Sequence, residues 1–178
     1  MDIRDIALTA VIAALYASLV VFLAPISYGP VQLRVADCLI PLSAILGWPA
    51  IAGVTVGCLV GNAYYWLSPL DVALGPLANL VSSLIVFALR RRPLLACIVG
   101  SLPIGLVVGG YLWMFFPPPG VLGAVLPAWL GMVVSITLSS LIAVGALGYG
   151  ILKALLRPNV VAALRSSGIR VYVEEDQG

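Results

Sequence analysis

The chain has 178 residues, of which 62% are hydrophobic and 9% charged, with a formal net charge of +2 and no histidine. A soluble domain runs at roughly 45–50% apolar and 25% charged, so an ordinary water-soluble domain is excluded, as is any histidine-based triad or metal site. At roughly 20 apolar residues per crossing of a bilayer core, the length suffices for about six helices and little more.

The apolar runs predict membrane helices over 6–23, 35–46, 49–67, 70–89, 94–116 and 126–156, an all-α polytopic bundle over 1–157 followed by a tail over 158–178. The first run carries no small-residue cleavage pattern and is followed by further spans, so it is expected to remain as a helix rather than to act as a signal peptide. In that run Ala7, Ala10, Ala14 and Ala17 are spaced by three, four and three and so line one face. Ala10 with Ala14, and Ala13 with Ala17, form two overlapping AxxxA patterns. Small residues let a second helix approach closely in lipid; spacing alone favours packing inside the bundle over docking of a partner.

The next stretch, APISYGPVQLRVADCL (24–39), sets Gln32, Arg34 and Asp37 among long apolar runs. The run 35–46 is too short to cross unaided and is expected to be tilted, extended into the preceding loop or shielded by neighbours. Gly47-Trp48-Pro49, Ser68-Pro69, Arg90 to Pro93 and the proline run from Pro117 break the remaining helices. Pro49 and Pro127 fit first-turn positions, where a missing N–H costs nothing. Cys38, Cys58 and Cys97 lack paired spacing and read as small apolar residues. The tail from Pro158 is more polar; it reads as a loosely ordered cytoplasmic segment, or as a short interfacial helix followed by an extended stretch.

With the N-terminus inside, Arg4, Arg90, Arg91, Arg92, Lys153, Arg157, Arg165 and Arg170 fall on the cytoplasmic side and Arg34 alone falls outside. This satisfies the positive-inside rule for an even number of spans, with both termini cytoplasmic. Arg34, Asp37 and Asp71 then stand near the outer helix ends.

HExxH, a phosphate-binding Gly-Lys loop and GxSxG are absent from the sequence. An intramembrane hydrolase built on Asp37 and Asp71, or on Ser135, Ser139 and Ser140, is the enzymatic alternative. Helix-start aspartates are favoured by capping and by the helix dipole, however, and membrane serines usually bond their own backbone. No catalytic residue, metal or cofactor is assigned. Ionisable groups in membrane segments are costly and point to a site. Arg34 and Asp37, at i and i+3, either pair with each other or line an outward pocket with Gln32, Asn62, Asp71 and Asn79. Asp71 and Asn79 are eight apart and share a helix face. Tyr28, Tyr64, Tyr65, Trp66, Tyr111 and Trp113 gather at the same end, as an interfacial belt or as a stacking surface for a flat ligand.

The stretches ALYASLVVFLAPISYGPVQLRVADCL, GVTVGCLVGN and LDVALGPLANL resemble the QueT family. The family's Pro-x-Ser-x-Gly-Pro-x-Gln-x-Arg run and following acidic residue fall on Pro25, Ser27, Gly29, Pro30, Gln32, Arg34 and Asp37. Its Gly-Cys-x-x-x-Asn falls on Gly57, Cys58 and Asn62, and its Asp-x-x-x-Gly on Asp71 and Gly75. The chain departs from the pattern at Asp37, usually Glu, at Asn79, usually Thr, and at Ser140, where an acidic residue is usual.

The resemblance implies a six-helix substrate-binding (S) component of an energy-coupling factor (ECF) transporter for queuosine precursors, in the cell membrane. Such a component docks through an AxxxA face of its first helix on a transmembrane coupling protein driven by two cytoplasmic ATPases. Ala10 and Ala14 match that face, with Ala13 and Ala17 in the overlapping pattern, which raises docking above packing for this stripe. For a 7-deazaguanine base, Asp37 is expected to accept two parallel N–H groups. Gln32, Arg34 or Asn62 would meet the exocyclic carbonyl, and Asp71 an ammonium on the substituent. The expected partners are the ligand, the coupling module and lipid, not nucleic acid. An S-component for another vitamin-like molecule and a stand-alone carrier are the alternatives.

Overall fold

A computed structural model describes residues 2–27, 33–117 and 126–172, and all regular structure among them is helical. The helices are α1 (Ile3–Phe22), α2 (Ala24–Ser27), α3 (Val35–Leu46), α4 (Trp48–Tyr65), α5 (Pro69–Ala88), α6 (Pro93–Leu112), α7 (Ala128–Leu155) and α8 (Pro158–Ser166). Their starts follow from local chemistry. Asp2 caps α1, accepting from the Ile3 N–H at 2.7 Å while Asp5 accepts from the Asp2 N–H at 3.1 Å. Proline opens α4, α5, α6 and α8 in the first turn, where no N–H is needed. Pro127 stands one place earlier than expected, as the cap residue of α7 rather than within its first turn.

By length and composition α1, α5, α6 and α7 can each cross a membrane, and α3 is a shorter apolar helix. The short α3 is shielded by neighbours: every residue from 36 to 47 is buried, and α3 packs against α1, α4, α5 and α7. Two departures from α-helical winding meet there. Val35–Leu42 is wound as a 3₁₀-helix, with Pro41 inside it, and Leu141–Gly148 of α7 is wound as a π-helix. The two segments lie against each other so closely that a Cβ on Gly148 would stand 2.7 Å from Pro41 Cγ and 3.0 Å from the Cys38 carbonyl oxygen.

Around this centre α1 packs on α4, α4 on α5, α5 on α6 and α6 on α7. Lipid supplies little hydrophobic drive for helix association, so close backbone contact matters more than in water. Gly53, Gly57 and Gly61 provide it on α4. A Cβ at Gly57 would lie 2.7 Å from both the Ala13 carbonyl oxygen and Tyr16 Cβ, and one at Gly53 would lie 2.8 Å from Ile12 Cβ. This glycine ladder, with its members four residues apart, is visible in the sequence as GVTVGCLVG. Gly105 and Gly109 do the same for α6, where added Cβ atoms would come within 2.8 Å of Thr137 Cα and 2.6 Å of Val133 Cα.

The alanines of α1 therefore divide. Ala7, Ala10 and Ala14 are exposed, whereas Ala13 and Ala17 are half-buried, with Ala13 against Gly57. Beyond α8 the chain returns to the bundle. The Tyr172 N–H donates to the Ile45 carbonyl at 2.8 Å, and its ring meets Phe87 edge-on at 5.3 Å between centroids. The ring covers Gly47, whose φ of +63° suits glycine and where a Cβ would lie 2.6 Å from Tyr172.

Gly57→Leu is expected to force α1 from α4 at a cost of about 1–3 kcal/mol, as overpacking does. The fall is read in the melting temperature of detergent-solubilised protein, with Gly110→Ala as control, because nothing lies within 4 Å of a Cβ there. Equal melting temperatures for the two variants would show that α1 and α4 do not need this contact.

Candidate ligand-binding site

A buried carboxylate needs hydrogen-bond donors from its own protein. Asp37, in the first turns of α3, is buried and has two such donors from other helices. The Tyr16 hydroxyl of α1 donates to Asp37 Oδ1. The Asn79 side-chain amide of α5 donates to the Tyr16 hydroxyl at 2.8 Å and reaches Asp37 Oδ1 at 3.5 Å. Both contacts fall on Oδ1, so Oδ2 is the oxygen Asp37 has to offer. Arg34 precedes α3, is half-buried, donates through Nη1 to Cys58 Sγ of α4 at 3.6 Å, and stands within electrostatic range of Asp37.

A second polar cluster adjoins the first. The Asp71 N–H at the start of α5 donates to the Ser68 hydroxyl at 3.1 Å, a side-chain cap. The Tyr111 hydroxyl of α6 donates to Asp71 Oδ1 at 2.7 Å, and the Asn62 side chain of α4 donates to the Asp71 carbonyl oxygen at 2.9 Å. Asp71 Oδ2 is buried with no hydrogen-bond partner. Gly75 makes room for this arrangement, since a Cβ there would lie 2.4 Å from Asn62 Nδ2.

One narrow cleft opens on the first cluster, with a free volume of about 20 Å³ between its walls. Arg34 and Asp37 line it with Ser27 of α2 and Ser139 and Ser140 of α7; its apolar walls are Ile104 and Val108 of α6 and Ile136 of α7. The combination of apolar walls and a few convergent polar groups is that of a small-molecule site.

Of the residues expected from sequence, Arg34 and Asp37 reach the cleft wall. Asn79 stands behind, holding Asp37 through Tyr16. Asn62 and Asp71 belong to the neighbouring cluster and are not among the lining residues. Gln32 and Tyr28 lie outside the described residues. Asp37 and Asp71 are held by different tyrosines, Tyr16 and Tyr111, rather than by each other. The aromatic surface is not at the cleft either: Tyr64, Tyr65, Trp66 and Trp113 are exposed, and Tyr111 is buried against Asp71. Among the described residues no aromatic side chain lines the cleft. Tyr16 and Ser27 were not singled out as site residues from sequence. For Tyr16 the available signal is a phenol in the middle of the first apolar run, where its hydroxyl has to find a buried partner.

A profile of the QueT transporter family matches residues 6–157. The queuosine precursor transporter QueT of Lactococcus lactis subsp. cremoris (strain MG1363) is 40% identical to this chain over 81 residues, covering 43% of this chain. The matched region spans 46% of that relative's length. No solved structure matches the chain. The family match runs from α1 to the end of α7, through both polar clusters and every wall of the cleft, and the chain belongs to the QueT transporter family.

Proposed function

We propose that this chain is the substrate-binding component of an importer, that it takes a queuosine precursor from outside the cell, and that it hydrolyses nothing itself. The observation that carries this reading is the Arg34–Asp37 cleft, a charged site between apolar walls in a transporter-family membrane bundle. The name of the Lactococcus relative supplies the ligand class. In this reading six spans, α1 and α3 to α7, cross the plasma membrane with both termini cytoplasmic, and the cleft faces outward.

The chemistry suits a 7-deazaguanine. Its edge offers N–H donors and an exocyclic carbonyl. Asp37 Oδ2 accepts an N–H, and Arg34 donates to the carbonyl in a charge-assisted bond. Because Oδ1 is already engaged, the carboxylate contributes one oxygen rather than the bidentate pair expected from sequence. The cleft is narrow without ligand, about 20 Å³, so Ile104, Val108 and Ile136 part to take the flat ring between them. Tyr16 and Asn79 set the orientation of Asp37 before the ligand arrives, which lowers the ordering cost of binding. Gln32 is a further contact in the same reading, while Asn62 and Asp71 brace α4, α5 and α6 around the cleft.

The exposed face of α1 is the docking face. Ala10 and Ala14 present backbone to a helix of a coupling protein, which two ATPases drive; Ala13 and Ala17 are turned toward the bundle. Docking and ligand binding thus use opposite faces of one helix.

Isothermal titration of the purified protein with a deazaguanine base tests the site. Asp37→Asn is expected to weaken binding about 10-fold or more, the scale of a charged hydrogen bond, and Tyr16→Phe about 5-fold, the scale of a neutral one. Undiminished affinity in Asp37→Asn would overturn the assignment. Docking is tested by co-purification with a coupling module and its ATPases. Ala10→Leu or Ala14→Leu is expected to abolish that complex while leaving ligand affinity intact, and a complex that survives both substitutions would remove the docking role.

A further inference from the structure

Hydroxyls in membrane helices usually bond a carbonyl one turn back. Thr9, Thr55, Ser83 and Thr137 do so, at 2.8, 2.7, 2.5 and 2.7 Å. Ser27 and Ser140 do not. Each is buried, and each Oγ has no hydrogen-bond partner. An orphaned buried hydroxyl costs about 1–3 kcal/mol and calls for an explanation. Both orphans lie on the one cleft that also holds Arg34 and Asp37, although they come from α2 and α7, far apart in the chain. Directly after Ser140 the winding of α7 changes to π, a distortion that recurs at functional sites.

Resting on the reading of this cleft as the base site, we propose that Ser27 and Ser140 are specificity-determining residues that hydrogen-bond the 7-substituent of the ligand and select an uncharged substituent over an ammonium. A hydroxyl both donates and accepts, so the pair can meet a neutral acceptor such as a nitrile, or a neutral donor. Neither carries charge. Asp37 is the only carboxylate among the described residues of the cleft wall, and the base edge engages it. An ammonium beside the serines would be buried with no counter-ion of its own, which costs more than a hydroxyl dipole returns.

The test is isothermal titration of the full purified chain with three probes: unsubstituted 7-deazaguanine, its 7-nitrile and its 7-aminomethyl derivative. The wild type is expected to bind the nitrile tighter than the aminomethyl base by about 10-fold or more. Ser27→Ala and Ser140→Ala are each expected to weaken nitrile binding about 5- to 30-fold and to shift the unsubstituted base less than about 2-fold. Each removes an oxygen that bonds nothing, so the melting temperature should hold or rise. Tighter binding of the aminomethyl base would assign the substituent to a carboxylate such as Asp71 and overturn the proposal. So would serine variants that bind the nitrile like wild type, that weaken all three bases alike, or that melt lower. Failure of the underlying site reading has a different signature, because Asp37→Asn would then bind all three probes as wild type does.

Discussion

The structure turns on one buried carboxylate. Asp37 is almost wholly buried, at 2% exposure, and its Oδ1 is satisfied by a phenol from α1, with an amide from α5 bonded to that phenol and at the limit of reach of the same oxygen. Three helices are fixed relative to one another by that requirement. Tyr16 reaches inward only because α1 lies close on α4, and it lies close only because Gly57 has no side chain where Tyr16 Cβ and the Ala13 carbonyl come to rest. Helix packing and site geometry are therefore one constraint: a bulky residue at a glycine of α4 moves a hydrogen-bond donor of the site.

Irregular winding completes the site. A 3₁₀ segment is narrower than an α-helix and has poorer hydrogen-bond geometry; a π segment is wider. α3 and α7 place these two irregular segments in contact, so Asp37 on one and Ser139 and Ser140 at the edge of the other share a cleft. Both distortions require surrounding protein to be stable, and α3, buried along its length, has that support.

Much of this was legible in the sequence, for a physical reason. Charge in an oily chain is expensive, so Arg34, Asp37 and Asp71 announce themselves whatever the fold. Apolar run length and proline placement give the helices, since both act locally. What stayed hidden depends on partners distant in the chain. Asn62 and Asp71 do converge, but on each other's side chain and backbone rather than on the cleft. Asn79 supports Asp37 through Tyr16 instead of lining the wall. Ser27 and Ser140 look like any membrane serine until their unbonded oxygens are seen together. The glycine ladder of α4, at spacings of four, is legible from spacing alone, whereas the helix it receives is not. α3 shows the limit from the other side, because its length signals a problem while only its neighbours show the solution.

The division of α1 follows from the same contacts. Its inner side carries Tyr16 and the backbone of Ala13 against α4; its outer side carries Ala7, Ala10 and Ala14, exposed. A residue that bonds Asp37 and a surface fit for close helix contact thus belong to one continuous helix, separated by less than two turns between Ala10 and Tyr16. No chain of intervening side chains is needed to connect them. In the function proposed above, a ligand group on Asp37 Oδ2 would share the carboxylate whose Oδ1 holds the Tyr16 hydroxyl, and so would bear on α1 as well.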